Sequence, residues 1–253
     1  MKEVMNKNAI LAVNISIGSF KLFVERLFFL SEDRSSSYVC VCNVHMLVEA
    51  KKDRDFNALL NNADIVTPDG MPVAKALGLK YNYTQERVSG MDLLPELIKE
   101  CANRNKSIYL YGSTNKVLEE IIRKVNEEFS KLKIAYKSPP FRLLTDKENL
   151  DTVKEINHFN PDFVFVALGC PKQEKWMAQH KGKINSCMIG LGGAFPVYAG
   201  LQKRAPKWLS NNSLEWLYRL LLEPRRLLSR YFITNSLFIY YICIDFIINI
   251  KNK

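Results

Sequence analysis

Five short apolar runs, separated by stretches with helical periodicity, constrain the fold more than any other feature of this chain. The runs cover residues 38–41, 63–66, 107–111, 163–168 and 187–191. Strands that read as continuous apolar runs are buried on both faces, and their alternation with helices is typical of a parallel sheet. We therefore predict an α/β fold with a Rossmann-like, mostly parallel sheet and helices on both faces.

Glycines and polar side chains follow directly after each predicted strand. Sheets of this kind bind ligands at the carboxyl ends of their strands. We therefore expect one pocket at this edge of the sheet. Its candidate residues, in strand order, are Asn43, Asp69, Gly112 with Ser113, Gln173, and Gly192 with Gly193.

The segment Thr67-Pro68-Asp69-Gly70 places a carboxylate at a corner between a strand and a helix. Pro68 fixes one backbone angle and Gly70 gives the freedom that a tight turn needs. Asp69 is thus held on a bend, where a catalytic carboxylate could act, and Thr67 lies beside it as a candidate binding residue. The alternative is a turn-forming aspartate, because Asp before Gly is common in turns.

Two glycine-containing turns are candidates for contact with a nucleotide diphosphate. Gly112-Ser113-Thr114 precedes a helix predicted to begin near Asn115, and the N–H groups at a helix start favour a phosphate. The alternative is an ordinary strand-to-helix connection capped by Ser or Thr. In the 190–193 turn, glycines would let the backbone approach a ligand closely.

Positive charge is concentrated at the C-terminus. The net charge is +10, and from Lys203 onward there are nine basic residues and only three acidic ones. Aromatic residues are interleaved with this charge, and residues 232–250 are nearly all apolar. This composition indicates a helical appendage at 203–253 that binds an anionic membrane surface, after a Rossmann-like domain at 1–202. Asp245 argues against a stable membrane span. A nearly apolar stretch of nineteen residues also argues against a nucleic-acid partner.

Metal and disulfide chemistry find little support in the sequence. The six cysteines form no CxxC pair, so we expect reduced, buried thiols in a cytoplasmic protein without a signal peptide. Asp53-Arg54-Asp55 has the spacing of a metal-binding DxD motif, but it lies in a polar stretch that we interpret as the solvated face of a helix. We predict no metal site and no cofactor.

Four motifs in order carry a resemblance to a known family. They are residues 67–72 (TPDGMP), 87–92 (RVSGMD), 161–174 (PDFVFVALGCPKQE) and 189–195 (IGLGGAF). From about residue 9 to 230 the chain resembles the WecG/TagA/CpsF family of bacterial glycosyltransferases. The resemblance implies a GT-E type fold, metal-independent inverting transfer from a UDP-sugar, and a C-terminal appendage that associates with the membrane and completes the active site.

The same resemblance assigns roles to residues of this chain. It implies that Asp69 and Arg87 are catalytic, that Gln173 binds the donor, and that Asn43 binds substrate. A surface ion pair with Glu86 or Asp92 is the alternative for Arg87. The family often has Thr two residues before the Asn, where this chain has Val41. Three arginines, Arg219, Arg226 and Arg230, would share one face of a continuous helix, and that face could bind a diphosphate. Pro224 is expected to kink or restart that helix.

The expected reaction is transfer of N-acetylmannosamine, or a related sugar, from UDP to an undecaprenyl-diphosphate-linked N-acetylglucosamine. This step would belong to teichoic acid or surface polysaccharide synthesis on the cytoplasmic membrane face. Within the family, UDP-linked N-acetylmannosaminuronic acid or glucose are alternative donors, and a homo-oligomer is left open. The rival class is a non-catalytic basic protein that binds lipid or nucleic acid.

Overall fold

The structure is a computed structural model that describes residues 5–211 and 213–251. The side chains of residues 207, 211, 219, 226, 229, 230 and 248–251 lie outside this description. Eight strands and twelve helices are assigned in the described ranges. The strands are β1 (Lys7–Ile10), β2 (Val13–Ser16), β3 (Ser37–Cys42), β4 (Ile65–Pro68), β5 (Ile108–Gly112), β6 (Ile134–Lys137), β7 (Phe163–Ala167) and β8 (Cys187–Gly190). The helices are α1 (Phe20–Asp33), α2 (Val44–Lys52), α3 (Arg54–Asn61), α4 (Met71–Tyr81), α5 (Gly90–Asn103), α6 (Asn115–Glu128), α7 (Asp146–Phe159), α8 (Lys172–His180), α9 (Phe195–Tyr198), α10 (Lys207–Asn211), α11 (Glu215–Leu222) and α12 (Pro224–Lys251).

A six-stranded sheet in the order β4-β3-β8-β7-β5-β6, flanked by helices, confirms the predicted α/β fold. Parallel registers join β3 to β8, β8 to β7, β7 to β5 and β5 to β6. Every residue of β3, β5, β7 and β8 is buried, as their apolar sequences require. The edge strand β6 is half-exposed and does not stand out as an apolar run.

The chain forms two compact units. As far as the described ranges reach, the first comprises Met1–Phe20, Val41–Ser89 and Arg204–Lys253, and the second comprises Lys21–Cys40 and Gly90–Lys203. The first unit holds the β1–β2 hairpin, β4, α2 to α4 and the C-terminal helices α10 to α12. The second holds the main part of the sheet with α1 and α5 to α9.

The C-terminal segment of the first unit is helical, as predicted. Pro224 begins a new helix, α12, after α11 ends at Leu222. Arg219 therefore lies on a different helix from Arg226 and Arg230, and the continuous helix considered for the three arginines does not form. Among the described residues, no helix is long and apolar enough to cross a membrane.

Helix α12 packs against α2 and is tied to α4 by an ion pair. Lys80 Nζ lies 2.6 Å from Asp245 Oδ2 and also donates to the Ala9 carbonyl oxygen at 3.2 Å. The Lys80 side chain is only 9% exposed. Asp245, which the sequence presents as an obstacle to membrane insertion, is thus an anchor of α12 within the first unit.

All six cysteines are free thiols. Four of them are buried, but Cys170 is half-buried and Cys243 is exposed on α12, so the expectation that all six are buried is wrong for these two. Cys170 lies in the connection between β7 and α8 rather than within a strand, and Cys243 lies on the exposed side of α12.

Candidate active site

Asp69 lies at the end of β4 and is held there by its backbone. Its N–H donates to the carbonyl oxygens of Cys42 at 2.9 Å and of Thr67 at 3.1 Å. Gly70 then adopts a φ of +89°, which favours glycine, and precedes α4. The turn predicted from Pro68 and Gly70 forms, and it fixes the backbone of Asp69 at the end of β4.

Asn43 occupies the corresponding position after β3. Its Oδ1 accepts a hydrogen bond from the Met46 N–H at 3.1 Å and caps the start of α2. A side-chain cap of this kind satisfies one of the N–H groups that a helix start leaves without an intrahelical partner. Asn43 therefore has a structural task besides the substrate contact that the family resemblance implies.

Asn43, Asp69 and Arg87 line one cleft in the first unit, with an empty volume of about 780 Å³ that includes space open to solvent. The remaining lining residues come from α2, from α4 and the turn before it, and from the C-terminal segment. They are Val44, His45, Gly70, Met71, Pro72, Ser210, Ser213, Glu215, Trp216, Tyr231, Thr234 and Asn235.

Arg87 forms an ion pair with a residue of the C-terminal segment. Arg87 Nη1 lies 3.3 Å from Glu215 Oε2, and the Ser210 hydroxyl donates to the same oxygen at 3.2 Å. The Arg87 side chain is 13% exposed. Glu86, one of the partners considered for it, accepts instead from the Phe20 N–H at 2.7 Å. Arg87 is thus part of the cleft rather than of the outer surface.

Thr67 fixes the segment that carries Arg87. Thr67 is fully buried, and its hydroxyl donates to the Val88 carbonyl oxygen at 3.1 Å. The Val88 N–H donates in turn to the Pro68 carbonyl oxygen at 3.0 Å. These two bonds tie residue 88 to the end of β4. The structure thus shows a structural role for the Thr67 hydroxyl, and contact of Thr67 with substrate stays a prediction.

The Gly112–Ser113 turn in the second unit is packed against β7. A Cβ on Gly112, whose φ is +107°, would meet the Ala167 carbonyl oxygen at 2.5 Å. The Ser113 N–H donates to that oxygen at 2.8 Å, and Thr114 caps α6 by accepting from the Val117 N–H. These contacts favour the alternative of an ordinary capped connection for this turn, and phosphate binding stays a prediction.

Gln173 lies on α8 with only 6% of its surface exposed. Its Oε1 accepts from the Gly169 N–H at 3.3 Å, and its Nε2 donates to Glu174 Oε1 at 2.8 Å. A Cβ on Gly192 would come within 2.7 Å of Gln173 Oε1. The absence of a side chain at Gly192 is therefore explained by Gln173 itself, which fills the space.

Glu174 is a residue that the sequence analysis does not single out. It is fully buried, and this burial raises the pKa of its carboxyl to about 7, while hydrogen bonds from Gln173 and Cys170 oppose the rise. A Glu next to Gln at a helix start gives no sequence signal of burial. The position of Glu215 in the cleft is likewise not predicted from the sequence, because its partner Arg87 lies 128 positions away in the chain.

Asp53 and Asp55 lie at the start of α3. Asp53 lies between α2 and α3 and caps α3, accepting from the N–H groups of Asp55 and Phe56 at 3.0 and 3.1 Å. It is therefore a cap between two helices rather than a residue on a helix face. In the described ranges no group of three or more His, Cys, Asp or Glu side chains could hold a metal ion.

Two groups of predicted residues emerge, one in each unit. Asn43, Asp69 and Arg87 share the cleft, whereas Gln173 meets Gly192 in the second unit. The side chains of the three arginines at 219, 226 and 230 lie outside the described residues. That all five strand ends contribute to one pocket stays a prediction.

A carboxylate can act as a general base, and a guanidinium can stabilise developing negative charge. A cleft of an α/β protein that holds both can therefore support a group-transfer reaction. The chain matches the profile of the glycosyl transferase WecG/TagA/CpsF family over residues 8–251 and belongs to that family. The protein is thus an enzyme that transfers a sugar. The family match confirms the resemblance carried by the four motifs, and it includes the apolar tail after residue 230, which we had expected to lie outside it.

Two curated relatives are similar to this chain over most of their length. An N-acetylglucosaminyldiphosphoundecaprenol N-acetyl-beta-D-mannosaminyltransferase of Bacillus subtilis (strain 168) is 34% identical over 215 residues, which cover 85% of this chain and 82% of the relative. A protein of the same name from Staphylococcus aureus (strain NCTC 8325 / PS 47) is 29% identical over 221 residues, covering 86% and 85%.

Proposed function

We propose that this protein transfers N-acetylmannosamine from a UDP carrier to N-acetylglucosamine linked to undecaprenyl diphosphate, with inversion at the anomeric carbon. The names of its relatives support this donor sugar and acceptor. The step would contribute to teichoic acid or another surface polysaccharide. The observation that carries the proposal is the presence of Asp69 and Arg87 in one cleft.

In the proposed mechanism Asp69 is the general base. Its carboxylate accepts the proton of the acceptor hydroxyl as the hydroxyl oxygen attacks the anomeric carbon from the face opposite UDP. The bond between that carbon and the oxygen of the β-phosphate breaks, and its electron pair leaves with UDP. The backbone bonds of Asp69 fix the point from which its side chain enters the cleft, which supports a carboxylate placed for proton transfer.

Arg87 is proposed to stabilise the negative charge of a phosphate group. A guanidinium presents a planar set of donors that matches phosphate oxygens. Glu215 already holds one Nη atom of Arg87, so the guanidinium is oriented before substrate arrives. Arg219, Arg226 and Arg230 are proposed to meet the diphosphate of the acceptor, and Asn43 to contact substrate through the amide nitrogen that does not cap α2.

The donor is proposed to contact the turns of the second unit. Gln173 and the backbone of Gly192 and Gly193 would bind the sugar or the base of the UDP-sugar, and the Gly112–Ser113 turn its phosphates. Support comes from the position of these residues after β5, β7 and β8, since parallel sheets bind ligands beyond the carboxyl ends of their strands.

We further propose that α12 rests on the cytoplasmic face of the membrane. One side of the helix is apolar and exposed, whereas Leu227, Thr234 and Phe238 on the other side are buried. A helix with an exposed apolar stripe and basic neighbours can bind an anionic bilayer in the plane of the interface. The exposed apolar stripe consists of Leu228, Phe232, Ile233, Ile239, Tyr240, Ile244 and Ile247.

The test is release of UDP by the purified protein with UDP-N-acetylmannosamine and a short-chain lipid-diphosphate N-acetylglucosamine. We expect acceptor-dependent release that EDTA does not abolish. Asp69→Asn should lower kcat by at least about a hundredfold, because it removes the base, while Asp55→Asn serves as a matched control on α3. An Asp69→Asn variant that folds and transfers at the unmodified rate would refute the role of Asp69.

Absence of release with this donor, but release with UDP-N-acetylmannosaminuronic acid or UDP-glucose, would correct the sugar and retain the reaction class.

A further inference from the structure

We propose that Glu174 is a positioning residue that fixes the side-chain amide of Gln173, and with it the turns after β7 and β8, in the orientation that donor binding needs. The inference rests on the proposed contact between the donor and these turns. It assigns Glu174 no contact with substrate. Its action on the donor passes through Gln173.

Hydrogen bonds define which end of the Gln173 amide points where. Nε2 donates to Glu174 Oε1 at 2.8 Å, and Oε1 accepts from the Gly169 N–H at 3.3 Å. A backbone N–H can only donate, so a rotated amide would lose the bond to Gly169, and it would also lose the bond to Glu174 when that carboxyl is ionised. Glu174 thus sets the orientation of the amide from one side and Gly169 from the other.

The amide in turn occupies the space beside two glycines of the turn after β8. A Cβ on Gly190 would lie 2.8 Å from Gln173 Nε2, and a Cβ on Gly192 would lie 2.7 Å from Gln173 Oε1. Interiors packed this closely transmit a displacement to their neighbours. A Gln173 amide that leaves its position therefore removes the support of the 190–193 turn as well as of Gly169.

A purely structural role does not explain a carboxyl at this position. Glu174 is fully buried, and its carboxyl accepts hydrogen bonds from Gln173 and Cys170. Burying such a group is costly, and a hydrocarbon side chain of similar size fills the same space without that cost. The acceptor that Glu174 offers to Gln173 Nε2 is what a hydrocarbon cannot supply.

Two substitutions separate the acceptor from the volume of the side chain. Glu174→Leu removes the acceptor, and Glu174→Gln keeps an oxygen that can accept from Gln173 Nε2. We expect Glu174→Leu to raise KM for the UDP-sugar about tenfold or more, because the Gln173 amide is no longer held in the orientation that the donor needs, with kcat changed less than about threefold. Glu174→Gln should restore KM to within about threefold. Gln179→Leu, at an exposed position of α8, is the matched control.

Peptide-level hydrogen exchange supplies a readout that needs no turnover. Glu174→Leu should speed exchange of the Gly169 N–H and of the 190–193 turn about tenfold, while exchange in the α6 segment stays as in the unmodified protein.

Each outcome bears on a different claim. If Gln173→Ala raises the donor KM and Glu174→Leu does not, the inference is overturned and the proposed function stands. If the unmodified protein transfers no sugar from any UDP-sugar, the proposed function fails, and unchanged exchange at Gly169 in Glu174→Leu then overturns the inference independently.

Discussion

Replacement of Glu174 by Gln is expected to stabilise the protein progressively as the pH rises. Burial raises the pKa of this carboxyl from 4.5 to about 7 in the folded protein. The folded chain therefore holds the proton more tightly than the unfolded chain does. The stability associated with the protonated group is complete below about pH 4.5 and is lost as the pH rises through about 7.

The magnitude follows from the two pKa values. At about 1.4 kcal/mol for each pH unit between them, ionisation of Glu174 costs the folded state roughly 3 kcal/mol, of which about 2.5 kcal/mol is lost between pH 5 and pH 8. Gln does not titrate, and it keeps an acceptor for Gln173. The free energy of unfolding of the variant, relative to the unmodified protein, should therefore rise by about 2.5 kcal/mol over this range.

Urea denaturation at several pH values, followed by tryptophan fluorescence, measures this difference. Trp176 lies buried on the same helix and reports on the packing around Glu174. Other titrating groups are shared by both proteins, so they cancel in the comparison. Glu119→Gln, which removes an exposed carboxylate on α6, controls for the loss of one charge. A difference in unfolding free energy that stays constant from pH 5 to pH 8 would refute the reasoning.

Two further predictions concern the C-terminal helix. Lys80→Met removes the partner of the Asp245 carboxylate on α12 and should lower the free energy of unfolding by about 1–3 kcal/mol in urea denaturation. The control Lys75→Met, at an exposed position of α4, should have little effect. Equal effects of the two substitutions would contradict the anchoring role. Joint replacement of Phe232 and Ile239 by Ser should weaken co-sedimentation with anionic phospholipid vesicles at least about tenfold, because two exposed apolar side chains leave the stripe. Leu79→Ser on α4 is the control, and unchanged binding of the double variant would exclude the stripe as the membrane contact.

The sequence predicts the buried strands well because a strand that is buried on both faces is apolar at nearly every position. β3, β5, β7 and β8 each coincide with an apolar run. β6 was not predicted, because a half-exposed edge strand of four residues carries no such record. The β1–β2 hairpin was not predicted either, because its turn uses Leu11 and Ala12 at positive φ instead of the Gly or Asn that usually indicates such a turn.

The site was predictable only where backbone chemistry is local. Pro68 and Gly70 reveal the turn that holds Asp69, and the position of Asn43 after an apolar run reveals its place at a strand end. Strand order and the pairing of Arg87 with Glu215 depend on contacts between distant parts of the chain, so they could not be predicted from a single sequence. The same holds for the burial of Glu174.

The double task of Asn43 determines how mutational data at this position can be interpreted. Its side chain caps α2, and α2 is the helix on which α12 packs. Asn43→Ala would remove a helix cap together with any substrate contact, so a loss of activity would not distinguish a missing contact from a displaced helix. Asn43→Asp and Asn43→Ser both retain a capping oxygen and lack the amide nitrogen. These two substitutions, rather than alanine, isolate the chemistry of residue 43 from the folding of the segment that follows it.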